Sequence, residues 1–183
     1  MDRRMATRRL AVGDVLVLIA TVAVGLAGMR LWLRLRNLAY YDTLVFKMPA
    51  IGPVLASLTV ATFLLQLFRS ARGIRSAIRK PGVAAMCAGV VLLALHFSVN
   101  SLLYWTFGYG DPYLEHVYFE GFRFLMGLAG PTIATVWAVM LFSGRWRREE
   151  NCLGHLGRTL AALWISAYIA ENVLHYDTKI FGY

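Results

Sequence analysis

The feature that constrains the fold most is an uncharged stretch near the middle of the chain. Between Pro81 and Gly110 the sequence contains no Asp, Glu, Lys or Arg. A helix needs ~20 apolar residues to cross a hydrocarbon core of about 30 Å, and this stretch is longer than that. It therefore predicts a helix that spans a membrane.

The composition argues against an ordinary water-soluble domain. Of the 183 residues, 58% are hydrophobic and only 16% are charged, so the surface of a soluble domain would be too apolar. Too few residues remain outside the apolar segments to build a separate soluble domain. Residues 1–183 are therefore predicted to form one transmembrane helical domain.

Five apolar segments define the predicted architecture. The fold class is all-α, a polytopic integral membrane protein with a single bundle of five transmembrane helices. The predicted spans are approximately residues 15–35, 48–68, 83–105, 121–143 and 159–177. The fifth span is short in apolar length because Glu171 interrupts it, so a re-entrant segment is the alternative to a full crossing. Loops are expected at 108–120 and 144–158.

Small residues predict where helices approach one another closely. Ala84, Ala85, Ala88 and Gly89 lie near the start of the third span, and the segment 127–131 places two glycines before a proline in the fourth. In the fifth span, Ala162, Ser166 and Ala170 recur at every fourth residue. This stripe is expected to pack against protein rather than lipid.

The net charge of +9 is explained by the membrane rather than by nucleic acid. Basic residues cluster at the ends of apolar runs, where anionic lipid headgroups lie. The densest cluster, from Arg69 to Lys80, is expected to bind anionic lipids. No nucleic-acid partner is predicted.

The distribution of basic residues also predicts orientation. The N-terminal tail, the second loop and the fourth loop hold four, five and four of the 19 Lys and Arg residues. Because cytoplasmic loops carry this excess, the N-terminus is expected inside and the C-terminus outside, in a bacterial inner membrane.

Scarce polar residues converge on the outer face in this topology. Glu171 and His175 share a helix face, His96 lies somewhat deeper, and His116 and Glu120 lie in the loop 108–120. The candidate metal ligands are His116, Glu120, Glu171 and His175, and the acid–base candidates are Glu171, His175 and His96. His96 and His175, which differ in depth by about 4.5 Å at the rise of a helix, are the candidates for binding haem.

Each of these candidates also has a purely structural interpretation, which the residue types favour. The polar groups can tie helix ends together, with Glu171 forming an ion pair to Arg30, Arg34 or Arg123. Asp14 is expected to cap a helix that begins there, and Gln66 is expected to lie at the interface between membrane and water.

The functional expectation is a small non-catalytic multi-pass membrane subunit. It would pack against larger membrane partners, or against copies of itself, because the loops are short and small-residue stripes are present. The alternative is a membrane-embedded enzyme or redox protein with a metal, haem or acid–base site near the outer face. Transport is a third hypothesis, and the sequence identifies no cofactor.

Overall fold

A computed structural model describes residues 11–35, 51–69, 79–107, 112–146 and 152–181. Within these ranges the chain is helical, which confirms the all-α prediction for this part of the protein. The helices are α1 (Val12–Leu35), α2 (Gly52–Arg69), α3 (Pro81–Phe107), α4 (Pro112–Phe142) and α5 (Cys152–Phe181).

Three of these helices are long and apolar enough to cross a membrane, and not five. Their apolar stretches are Val12–Leu31, Gly52–Arg69 and Pro81–Leu102. In the part of α4 that the structure describes, the apolar stretch is the shorter segment Gly127–Phe142. In α5, the charged residues Arg158 and Glu171 limit the uncharged run. The five-span prediction is therefore supported for the first three spans only.

Helix ends follow local backbone chemistry and shorten both predicted loops. Pro81 and Pro112 begin α3 and α4, where the missing N–H of proline has no intrahelical partner to lose. α4 therefore begins inside the expected loop 108–120. It ends in a left-handed turn at Gly144 (φ 65°), with N–H groups of Gly144 and Arg145 donating to the carbonyls of Leu141 and Met140. α5 begins at Cys152, inside the expected loop 144–158.

The prediction that Asp14 begins and caps α1 is wrong in position. The helix begins two residues earlier, and Asp14 lies in its first turn. The Asp14 carboxylate reaches back and accepts a hydrogen bond from the backbone N–H of Ala11 at 2.9 Å. This is the acidic half of a capping box, which fixes the first turn from the third helical position.

Contacts between helices define an up-and-down bundle. α2 runs antiparallel to α5, because Gln66 contacts Leu153 near one end while Thr59 contacts Trp164 further along. α1 is antiparallel to α2, with Asp14 beside Arg69, and α3 is antiparallel to α4, because Trp137 reaches Pro81. One end of the bundle, here called the basic end, therefore gathers residues 11–14, 66–69, 79–82, 143–146 and 152–158.

The core lies where α2, α3, α4 and α5 meet. Its members share exposures of 8% or less; they are Leu55, Ala56, Ala85, Met86, Leu93, Leu125, Ala129, Ile133, Leu160, Ala161 and Trp164. Ala84, Ala85 and Gly89 are buried, as predicted from the small residues of α3. A Cβ at Gly130 would lie 2.4 Å from Tyr168 Cβ, so this glycine of α4 does permit close approach to α5.

The small-residue stripe of α5 is not the face that packs on the core of this chain, and its contact with another protein chain stays a prediction. Ala162 and Ser166 are exposed and Ala170 is half-buried. The face that packs instead carries Leu153, Gly157, Leu160, Ala161 and Trp164. This face packs on the core because the large indole of Trp164 buries far more apolar surface than two small side chains can.

α1 lies at the edge of the bundle and packs mainly on α2. A Cβ at Gly25 would lie 2.6 Å from Ser57 Oγ and 2.7 Å from Val54 Cα, so the two backbones nearly touch there. The rest of its surface is exposed and apolar, including Leu16, Ile19 and Val24. This helix therefore presents most of its circumference to its surroundings.

Candidate functional site

His96, the deepest of the predicted site residues, is half-buried on α3. The amide nitrogen of Asn100 donates a hydrogen bond to Nε2 of His96 over 2.8 Å. Because an amide nitrogen only donates, Nε2 accepts, and the neutral ring carries its proton on Nδ1. A metal or haem iron would have to displace Asn100 before it could bind Nε2.

Glu171 is buried on α5, with 7% of the residue exposed. Burial of an ionisable group in a largely apolar helix is costly, which agrees with its choice as a candidate. The side chains of His116, Glu120 and His175 lie outside the described residues, as do those of Arg34 and Arg123. The predicted convergence of these groups with Glu171 therefore stays a prediction.

No metal centre is formed by the side chains that the structure does describe. Across those residues, no three His, Cys, Asp or Glu side chains lie together as a metal would require. Of the four predicted metal ligands, only Glu171 belongs to this part of the chain. The metal site formed by these four residues therefore stays a prediction.

The structure instead brings together a polar crossing of three helices at the basic end. Gln66 of α2 is 6% exposed, and its Nε2 donates to the backbone carbonyl of Leu153 over 2.7 Å. A Cβ at Gly157 would lie 3.0 Å from both Gln66 Nε2 and the carbonyl oxygen of Gly82. Gln66 is therefore covered by α5, and its expected depth at the interface between membrane and water stays a prediction.

A second polar contact joins α2 to α5 seven residues earlier along α2. The indole Nε1 of Trp164 donates to the hydroxyl of Thr59 at 3.0 Å, and that hydroxyl donates to the carbonyl of Leu55 at 2.7 Å. Both side chains are almost fully buried. The indole N–H is thereby satisfied inside the core, as a buried tryptophan requires.

Among the residues that the structure describes, two oxygen atoms on the same face of α2 have no hydrogen-bond partner. They are Thr62 Oγ1 and Gln66 Oε1, both in buried residues. Thr62 lies one turn from Gln66, so the two side chains are neighbours on α2. Buried polar groups without partners are rare in folded proteins and call for an explanation.

Charge at the basic end is partly neutralised within the chain. Arg69 of α2 forms an ion pair with Asp14 of α1, which is 7% exposed. Arg69 is thus held by a carboxylate as well as lying in the segment expected to meet lipid. The pair ties the first turn of α1 to the last turn of α2.

A cluster of aromatic rings and arginine closes the same end. Trp137 and Trp146 meet edge to face with ring centroids 5.8 Å apart, and Arg158 lies over the Trp146 ring at 5.5 Å. The indole Nε1 of Trp137 donates to the Pro81 carbonyl at 3.1 Å. These contacts connect α4, α3 and α5, and edge-to-face and cation–π pairs are each worth about 0.5–1.5 kcal/mol.

Sequence reasoning missed this polar crossing because its members look ordinary one at a time. A signal was present: Thr59, Thr62 and Gln66 recur at the spacing of one helix face in an otherwise apolar span. Polar residues on one face of a membrane helix usually face protein.

Comparison of the chain with protein-family models, with curated proteins and with solved structures finds no match.

Proposed function

We propose that this chain is a small multi-pass membrane subunit that packs against other membrane protein chains and does not itself catalyse a reaction. It would lie in a bacterial inner membrane with its basic end in the cytoplasm, where it would meet anionic lipid. The observation that carries the proposal is the outward stripe of small residues on α5.

The stripe consists of Ala162, Ser166 and Ala170 and faces away from the core of its own chain. In a bilayer, helices associate through close packing of small residues, because lipid is as apolar as leucine and supplies no hydrophobic drive. A regular stripe of small residues gains no packing advantage when it faces lipid. It supports contact with a helix of another chain.

The half-buried pair on α3 supports the same proposal. His96 and Asn100 share an internal hydrogen bond yet remain partly exposed between apolar neighbours such as Phe97 and Val99. Polar side chains rarely face hydrocarbon and usually face protein or a water-filled cavity. A neighbouring helix would shield this pair from the lipid.

The test is native electrophoresis of the chain extracted from its own membrane in a mild detergent. We expect the unaltered chain to migrate in a larger assembly. Ala162→Leu combined with Ser166→Leu should shift it to the size of the isolated chain, since the added bulk separates the helices. Co-expression with a second, differently tagged copy would tell a homo-oligomer from a mixed complex.

The matched control is Ala20→Leu combined with Ala23→Leu, which adds similar bulk at two exposed positions of α1. It should leave the assembly intact, and every variant should keep the helical circular dichroism spectrum of the unaltered chain. Migration of the unaltered chain as an isolated protein, or an assembly that survives both substitutions on α5, would count against the proposal.

A membrane-embedded redox or acid–base protein is the second candidate, favoured by the burial of Glu171 in an apolar helix. Metal analysis and an absorption spectrum of the purified chain distinguish it from the first. A bound metal or a haem band that disappears in His96→Ala or His175→Ala would favour this alternative over the non-catalytic subunit.

A further inference from the structure

We propose that the bundle binds a water molecule between Thr62 and Gln66, inside the crossing of α2 with α3 and α5. This site is independent of the proposed function, because it lies on the covered face of α2. The proposal rests on two buried oxygen atoms that lie on adjacent turns of one helix.

The two oxygens are buried and on adjacent turns of one helix. Thr62 is 0% exposed and Gln66 is 6% exposed, and within the described part of the chain neither Thr62 Oγ1 nor Gln66 Oε1 has a hydrogen-bond partner. Side chains four residues apart on a helix have Cβ atoms about 5–6 Å apart. Two hydrogen bonds of about 2.8 Å each can bridge oxygens up to about 5.6 Å apart, so one water suits side chains at this spacing.

The chemistry of the two atoms selects a hydrogen-bond donor. The amide oxygen of Gln66 only accepts, while its Nε2 is already used in the bond to Leu153. The hydroxyl of Thr62 both donates and accepts. A molecule that donates to Gln66 and either donates to or accepts from Thr62 satisfies the pair, and water does so with its two O–H groups.

The amide end of Gln66 lies where the backbones of α3 and α5 approach each other closely. The backbones of Gly82 and Gly157 approach so closely that a Cβ at Gly157 would lie 3.0 Å from the Gly82 oxygen. α3 and α5 both begin here, and the positive ends of their dipoles disfavour a cation. Buried water typically bridges polar groups that the protein leaves unsatisfied.

The direction in which one substitution changes stability tests the proposal. Thr62→Val removes the hydroxyl and keeps the shape and a similar helix propensity. If Thr62 binds the water, the variant loses a hydrogen bond, and its unfolding equilibrium constant in mixed micelles should rise about fivefold. If the site is dry, the variant removes an unsatisfied buried group, and the constant should stay unchanged or fall.

A double-mutant cycle with Gln66→Met tests whether the two residues share the molecule. The single substitution at Gln66 also removes the bond to Leu153, but the cycle isolates the interaction between positions 62 and 66. We expect the double variant to depart from the product of the single effects by about threefold or more. Thr135→Val is the control, since that hydroxyl is exposed and bonds the Pro131 carbonyl.

Direct observation completes the test. A density map that resolves ordered water should show one peak within hydrogen-bond distance of both oxygens in the unaltered chain and none in Thr62→Val. Stabilisation by Thr62→Val, independent effects in the cycle, or a map with no shared peak would each overturn the proposal.

Discussion

Two glycines of α4 show how one missing methyl group sets the distance between helices. Gly130 lies so close to α5 that a Cβ would meet Tyr168 Cβ at 2.4 Å and the Trp164 carbonyl at 3.2 Å. A Cβ at Gly127, one turn earlier, would have no atom of the described residues within 4 Å. The sequence predicts close packing in this segment, but spacing alone cannot tell which glycine makes the contact.

Gly130→Ala should therefore destabilise the bundle despite the better helix propensity of alanine. The added methyl group meets a Cβ and a backbone oxygen, neither of which can rotate away, so α4 and α5 must separate. We expect a loss of about 1–3 kcal/mol, the usual cost of overpacking. Reversible unfolding in mixed micelles measures it.

Gly127→Ala is the matched control in the same helix. Its methyl group enters open space, so helix propensity alone should act and stabilise the chain by up to about 1 kcal/mol. Equal effects of the two substitutions would contradict the close approach of α4 and α5 at Gly130.

Thr59 provides a second test at the residue scale. Thr59→Val keeps the side-chain shape but removes the acceptor for the Trp164 indole N–H, which then has no partner in the core. An unsatisfied buried donor costs about 1–3 kcal/mol, so unfolding should become easier by that amount. The combination with Trp164→Phe should cost less than the sum of the two single changes, because the donor is then absent as well.

At the scale of elements, α1 and α2 form an antiparallel pair fixed at two points. Near the basic end Arg69 bonds the Asp14 carboxylate, and towards the other end Gly25 lies against Val54 and Ser57. Local sequence rules interpret Asp14 as a cap and Arg69 as a lipid contact. Neither rule refers to another helix, so neither predicts that the two residues form an ion pair.

The ion pair should respond unequally to removal of its two members. The Asp14 side chain is 9% exposed, whereas the Arg69 side chain is 36% exposed. Arg69→Gln therefore leaves a buried carboxylate without its cation, and breaking a buried pair in this way costs up to about 3–5 kcal/mol. Asp14→Asn should cost less, because the arginine can turn towards water or lipid phosphate.

Unfolding free energies of the two variants and of the double variant check this prediction. The double variant should be more stable than Arg69→Gln alone, since no unpaired carboxylate remains. Equal losses from the two single substitutions would show that burial of Asp14 does not govern the pair.

At the scale of the whole molecule, the sequence predicts the order of the helices better than it predicts which face of each helix packs inward. Hydropathy predicts the helices and their sequence order, and the clustering of basic residues agrees with the basic end that contacts such as Gln66 to Leu153 define. Small residues alone do not predict which face of α5 packs inward, because both sides of this helix carry them and only Trp164 decides between them. The distribution of basic residues along the chain follows the topology of the bundle, whereas the packing of its helices depends on the shapes of their side chains.

Orientation in the proposed bilayer can be tested with the two cysteines of the chain. Cys152 is exposed at the basic end, and Cys87 lies on α3. A Cys87→Ala variant keeps Cys152 alone. Adding Cys152→Ser and Thr106→Cys moves the thiol to an exposed position of α3, about 37 Å along the helix from Pro81 at 1.5 Å per residue.

A membrane-impermeant maleimide added to intact spheroplasts should label the thiol at position 106 and spare Cys152, and inverted vesicles should show the reverse. The reason is that positively charged ends are retained in the cytoplasm, which places Cys152 inside and the far end of α3 outside. Labelling of both thiols from one side would mean that α3 does not cross the bilayer. An exchange of the two patterns would mean that the basic end lies outside and that lipid headgroups or a partner, rather than topology, account for its charge.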